Sequence, residues 1–299
     1  MKSCKAALFA LSVVITLAAF TPMAKAGSFT SIIAYGDSLS DNGNLWVATG
    51  YPPAPYWDGR FSNGPVAVEQ LAALEGAPLL DFAWGGATSG IGNYVDGGTQ
   101  TTFGAFGLPG MIPELIGSGA VIPPPIIPSS LFVVWGGAND FVSGGSPIVA
   151  AEDIDFIVAS LQSAGAQHIL VPNMPNLGLT PDYYGDPAAT AYAVEFNALL
   201  KATLPAGATQ FDAFALMTQI VNNPGAYGLT DVTDPCFNGV SVCANPSQYL
   251  FWDGFHPTTA VDTIVARDFA AAVPEPASFL MLGIGLAGLA AILKRRRAA

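Results

Sequence analysis

Ser38 stands two residues beyond an apolar run that stops at Gly36, within IIAYGDSLSDNGN (residues 32–44). A hydroxyl so placed can attack a carbonyl if a base takes its proton. The chain holds two histidines, His168 and His256. His168 opens the apolar run HILVP and reads as structural. His256 lies in LFWDGFHPTT, three residues after Asp253 and one before Pro257. Proline is favoured at the first position of a helix, so His256 is expected at the entry of the final one. A carboxylate three residues earlier can reach the imidazole, fix its tautomer and stabilise the imidazolium. Acyl transfer also needs donors for an oxyanion. DFAWGGATSG offers Gly85 and Gly86, where a backbone N–H can approach a substrate closely, and VVWGGAND offers the side-chain amide of Asn139. Each feature has a plainer alternative. Ser38 or Ser40 can cap a helix, Asp41-Asn42-Gly43 can turn the chain, and Asp-x-x-His can fall in a polar loop. The glycine pairs can be ordinary turns in a chain with 33 glycines.

These residues need elements that end in the same place. SIIAY (31–35), PLLDFA (78–83), LFVVW (131–135) and HILVP (168–172) are near-continuous apolar runs, with ATQFDAF (208–214) a weaker fifth. Such runs suit strands buried on both faces of a parallel sheet. Helical stretches are expected between them over 65–74, 150–163, 188–202 and 258–272. Alternating strands and helices predict a doubly wound α/β domain. There, ligands bind at the carboxyl ends of strands beside the switch point in strand order. Gly36 permits a tight turn ending the first strand, and Ser38 is expected where the next helix begins, an end that favours negative charge. The Pro-rich 118–130 reads as an extended surface loop. The stretch 222–256 reads as a long loop over one end of the sheet, which is often functional.

The ends are distinctive. Residues 1–26 read as a secretory signal, with Lys2 and Lys5, an apolar core over 6–20 and Ala24-Lys25-Ala26 as cleavage site. Residues 274–299 hold Pro274-Glu275-Pro276, then seventeen uncharged residues and the cluster Lys294-Arg295-Arg296-Arg297. That length just spans a bilayer, with the basic cluster staying cytoplasmic. The tail resembles the PEP-CTERM sorting signal of exopolysaccharide-producing Gram-negative bacteria. The resemblance implies transient membrane insertion, cleavage near Pro274-Glu275-Pro276 by an exosortase-like protease, and an extracellular, cell-surface or exopolysaccharide-matrix destination. A signal peptidase is the expected partner of the leader, and a permanent C-terminal anchor is the alternative reading of the tail. Between the ends, residues 27–273 carry three cations, Arg60, Lys201 and Arg267, against 21 Asp and Glu, a net of −18. Such a surface repels phosphate backbones, so no nucleic-acid partner is expected. Cys236 and Cys243 are candidates for a small disulfide loop in an oxidising compartment, with a free pair the alternative.

Four blocks now stand in order: Gly36-Asp37-Ser38-Leu39, Gly86, Gly137-Ala138-Asn139-Asp140 and Asp253-x-x-His256. Together they resemble the GDSL or SGNH hydrolases. DGRFSNGPVAVEQLA (58–72) and YLFWDGFHPT (249–258) are similar to that family's extracellular lipase and acylhydrolase branch. The resemblance covers roughly residues 33–270. It implies a flavodoxin-like three-layer α/β/α fold with a central parallel sheet of about five strands. It implies Ser38 as nucleophile, His256 as base, Asp253 as its orienter, and an oxyanion hole from the N–H groups of Ser38 and Gly86 plus the Asn139 amide. Asp81 stands where many relatives carry Asn. No metal or cofactor is expected. The expected partner is an ester, lipid or acylated glycan, met by aromatics near the mouth: Trp46, Tyr51, Tyr56, Trp57, Trp84, Phe103, Phe106, Phe141 and Trp252. Lipase-type ester hydrolysis leads; O-deacetylation of exported polysaccharide and a non-catalytic surface protein on a hydrolase scaffold are the alternatives.

Overall fold

The computed structural model describes residues 29–273. The expected leader over 1–26 and tail over 274–299 lie outside the described residues. Five parallel strands form one sheet: β1 Ile32–Gly36, β2 Leu79–Asp81, β3 Leu131–Trp135, β4 His168–Pro172 and β5 Thr209–Phe211. Their spatial order, β2-β1-β3-β4-β5, is the flavodoxin-like order. Every pairing is parallel; Ile32 lies beside Leu79 on one side and Leu131 on the other.

Strand side chains alternate between faces, so each apolar run supplies two cores. Ile32, Ala34, Leu131, Val133 and Leu170 face one core, completed by helices α2 Ala67–Glu75, α7 Ala213–Asn222 and α8 Thr259–Ala272. Ile33, Tyr35, Phe132, Val134 and Ile169 face the other, completed by α3 Met111–Ser118, α5 Pro147–Ser163 and α6 Pro187–Thr203. The result is a three-layer α/β/α sandwich. Two further short helices, α1 Asn44–Thr49 and α4 Ala138–Val142, follow the ends of β1 and β3.

Sequence patterning misplaces some elements. The expected strand over 208–214 ends at Phe211, because the Asp212 carboxylate accepts the Ala215 N–H at 2.9 Å and opens α7 instead. The stretch 222–256 is not all loop. Strands β6 Asp231–Pro235 and β7 Tyr249–Phe251 pair within it, and the Cys236–Cys243 disulfide closes its outer turn. The Pro-rich 118–130 winds into a 3₁₀ turn over Pro124–Ser129. Among the described residues no helix is long and apolar enough to cross a membrane.

Candidate active site

The strand order reverses between β1 and β3, so their carboxyl ends open onto a shared crevice. Gly36 ends β1 and pairs with Trp135 at the end of β3. It is needed there for want of a side chain rather than for its φ, since an added Cβ would run into the Trp135 carbonyl oxygen. Ser38 follows in a tight turn, where the N–H groups of Ser40 and Asp41 donate to the Asp37 carbonyl at 3.0 and 2.9 Å. The next helix begins only at Asn44, so Ser38 is not at a helix N-terminus as expected. The Asp41 carboxylate takes up that helix start instead, accepting from the N–H groups of Gly43, Asn44 and Leu45.

The far end of the chain supplies the partners. Ser38 Oγ lies 2.7 Å from His256 Nε2. His256 Nδ1 lies 2.8 Å from Asp253 Oδ2 and 2.9 Å from Oδ1. Asp253 Oδ1 also accepts the backbone N–H groups of Phe255 and His256, at 2.8 and 2.7 Å. That tight turn gives the Asp-x-x-His spacing its shape. Burial works against the charge on Asp253, but the imidazole and these hydrogen bonds hold its carboxyl below the usual range. Burial likewise opposes an imidazolium, but the Asp253 charge outweighs it and raises the His256 pKa above its ordinary 6.5.

The donor side is built from the loops after β2 and β3. Gly86 takes a left-handed φ of 81°, and an added Cβ would meet Asn93 Oδ1 at 2.5 Å, so glycine is required. Among the described residues, neither the Gly86 N–H nor the Ser38 N–H donates to a protein acceptor. Asn139, in the first turn of α4, is buried, and its Nδ2 donates one hydrogen to the Ala87 carbonyl at 3.0 Å, leaving the other uncommitted. The structure thus brings Ser38, Gly86, Asn139, Asp253 and His256 to the wall of one cleft of about 510 Å³.

A sequence model described as GDSL-like Lipase/Acylhydrolase matches residues 32–269. The chain belongs to this family. It is a family of carboxylic ester hydrolases, and ester hydrolysis is the general chemistry of this GDSL-like chain. A phosphatidylcholine-sterol acyltransferase of Aeromonas hydrophila is 24% identical over 85% of this chain and 92% of its own length. Acetylajmalan esterase 2 of Rauvolfia serpentina is 26% identical over 78% of this chain and 87% of its own. The crystal structure of LAE5, an α/β hydrolase from the metagenome of Lake Arreo, superposes with a TM-score of 0.50 at 14% identity. That match spans 81% of this chain and 94% of LAE5, a likeness of fold. A PEP-CTERM protein-sorting motif matches residues 272–297 and points to export with membrane-associated sorting in a Gram-negative bacterium.

The GDSL-like site has supports that sequence reasoning missed. The Tyr56 hydroxyl donates to Asp253 Oδ2 at 2.7 Å, across 197 positions of chain. Asp41 Oδ2 accepts the Gly85 N–H at 2.6 Å, tying the Ser38 turn to the Gly86 loop. Asp140 accepts from the Ser89 N–H and Oγ at 2.9 and 2.8 Å, tying the same loop to the Asn139 turn. Burial pushes the Asp140 carboxyl up to about 7 and Asp37 to about 6. Glu114, buried, accepts from Gly36 N–H at 3.0 Å and Trp84 N–H at 3.2 Å, bracing the ends of β1 and β2. Asp81 has a visible reason: its two oxygens accept separate N–H groups, those of Ala83 and Asn42. An asparagine would turn an NH₂ toward one of them. Of these acceptors only Asp81 carries a sequence signal, an acid at the end of an apolar strand where a loop leaves unpaired N–H groups.

The expected aromatic mouth is corrected in detail. Tyr51 and Tyr56 line the cleft, joined by Phe61, Tyr94 and Tyr183. The Phe61 ring stands 4.9 Å from the His256 ring. Trp252 is buried behind the wall, while Trp46, Phe103 and Phe106 are exposed away from the cleft lining. Two residues apart on a loop, a side chain can lie on either side of the backbone, which spacing alone does not resolve.

Proposed function

We propose that this GDSL-like chain hydrolyses carboxylic esters through an acyl-enzyme on Ser38. The unbroken run from Asp253 through His256 to the Ser38 hydroxyl, at 2.8 and 2.7 Å, carries the reading. The Ser38 oxygen bonds to the carbonyl carbon while its proton passes to His256 Nε2. Asp253 faces Nδ1, which fixes the tautomer whose Nε2 lone pair meets the hydroxyl. Negative charge gathers on the former carbonyl oxygen, and the Ser38 and Gly86 N–H groups with the Asn139 amide are assigned to receive it. The carbon–oxygen bond of the ester then breaks, and the alcohol leaves with the proton from His256. Water repeats the path, giving a carboxylic acid and free serine. Residues 27–273 are assigned as the hydrolase body, 1–26 as a removed leader and 274–299 as a sorting tail removed by an exosortase-like protease, leaving the body outside the cell.

Exposure to a fluorophosphonate is expected to add one adduct to the purified protein, on the peptide holding Ser38, and none to Ser38→Ala. Stoichiometric labelling of Ser38→Ala sinks the serine assignment. The same intact mass reads the termini: a mature chain that still ends at Ala299 refutes tail removal.

The acid limb follows from His256. Only the neutral imidazole accepts the serine proton, and its pKa is raised, so kcat/KM for an uncharged nitrophenyl ester should climb with pH through a value above 6.5. Asp253→Asn removes the charge that raises it and should move the limb to lower pH along with the rate. A limb that stays fixed in Asp253→Asn contradicts the assignment.

A further inference from the structure

The cleft is charged on one side only. Its lining includes Asp182 and Asp253 but no lysine or arginine. Asp253 is matched by His256, Tyr56 and two backbone N–H groups. Asp182 is not matched. Among the described residues its carboxylate accepts no hydrogen bond, and its side chain is solvent-exposed. Its place is nevertheless fixed. The Asp182 N–H donates to the Gly254 carbonyl at 2.9 Å, and an added Cβ at Gly254 would collide with the Asp182 carboxylate. The free charge therefore packs against the backbone between Asp253 and His256, beside the ester-cleaving end of the cleft.

Rings surround it. Tyr51, Tyr94, Tyr183, Phe237 and Phe255 line the same cleft. Tyr183 meets Phe255 at 6.0 Å, and Phe255 meets His256 at 5.6 Å. Aromatic faces attract cations, and quaternary ammonium groups are held by such rings, more strongly with a carboxylate nearby. The nearest basic side chain in sequence on the cleft's loops, Arg60, is engaged with Glu69 at 2.6 and 3.2 Å and does not line the cleft. The cleft lining has no lysine or arginine, and residues 27–273 carry 21 acids against three cations, so a cationic group is attracted to the cleft and an anionic one repelled.

We infer that the cleft selects its substrate by the charge of the alcohol, with Asp182 and the flanking rings receiving an ester whose alcohol carries a positive, ammonium-type group. The inference rests on the ester-hydrolase reading of the same site and adds the alcohol class to it. The bond chemistry is unchanged: the alcohol leaves Ser38 protonated by His256 and keeps its charge. Asp182 acts on binding, through KM, because its carboxylate receives the charged end of the alcohol and takes no part in the proton transfer between Ser38 and His256.

Three acetate esters of similar shape isolate the effect: acetylcholine, its neutral carbon isostere dimethylbutyl acetate, and anionic acetoxyethanesulfonate. With the purified protein at mildly alkaline pH and low salt, kcat/KM should fall about tenfold from the first to the second and further to the third, with KM carrying the difference. Asp182→Asn should bring the first two within about twofold, and high salt should do the same to the wild type, which keeps the test open if the variant folds poorly. Equal kcat/KM for the cationic and neutral esters overturns the inference. So does a preference that survives both Asp182→Asn and salt, or no turnover of this series beside Ser38-dependent turnover of nitrophenyl acetate. Loss of Ser38-dependent nitrophenyl acetate turnover as well strikes the hydrolase reading itself, so the two failures are told apart.

Discussion

Replacing His256 with alanine is expected to lower kcat on a nitrophenyl ester by about 10⁴-fold or more. The serine hydroxyl then has no acceptor within reach. Its 2.7 Å neighbour is gone, and the other histidine, His168, opens β4 far along the sheet from the Ser38 turn. Asp253 does not substitute, because both its oxygens already serve Tyr56 and two backbone N–H groups. Residues that act as one unit fail together. Ser38→Ala combined with His256→Ala should therefore cost no more than either alone, whereas independent contributions would multiply. Steady-state kinetics of the two single variants and the double variant read this directly. A His256→Ala rate within about tenfold of wild type, or multiplicative loss in the double variant, rejects His256 as the base.

Asn139→Ala should lower kcat by about 10²- to 10³-fold while KM moves little. The side-chain amide is needed when charge develops on the carbonyl oxygen, not when the neutral ester binds, so its loss falls on the transition state. Its orientation is already set. One hydrogen of Nδ2 is spent on the Ala87 carbonyl at 3.0 Å, which leaves the second no freedom to wander. Removing the amide also orphans the Ala87 acceptor, so a stability measurement belongs beside the kinetics: urea unfolding should change by only about 1–3 kcal/mol, too little to unfold the chain at assay temperature. A drop confined to KM, or a kcat within a few-fold of wild type, removes Asn139 from the oxyanion site.

Much of this was readable from the sequence because its signals are local. Ile32–Tyr35 and Leu131–Trp135 are apolar at every position, since a strand covered on both faces has no polar side to show. Ser38, Asn139 and His256 are legible for a related reason: each follows the end of an apolar run or precedes a helix, where glycines and turn residues punctuate the chain. What stayed hidden is what the fold assembles across distance. Tyr56 reaches Asp253 over 197 positions, and Asp41 reaches Gly85 over 44, with no spacing rule to announce either. Nothing near Asp182 in sequence is reactive, and only the fold sets its carboxylate against Gly254. The short strand β5 blurred into α7 because Asp212, a helix-capping acid, sits inside an apolar run and reads from sequence as a mere interruption.

Cys236 and Cys243 enclose Phe237, Asn238 and Gly239, and those three residues form part of the cleft wall. Thiols join where their surroundings oxidise them, and the cytoplasm does not. With the two thiols reduced, that flank would keep the hydrogen bonds from Phe237 N–H to the Trp252 carbonyl and from Cys243 N–H to the Cys236 carbonyl but lose its covalent tie. An oxidising compartment thus adds a covalent tie to one wall of the cleft, and place of residence bears on how rigid that wall is.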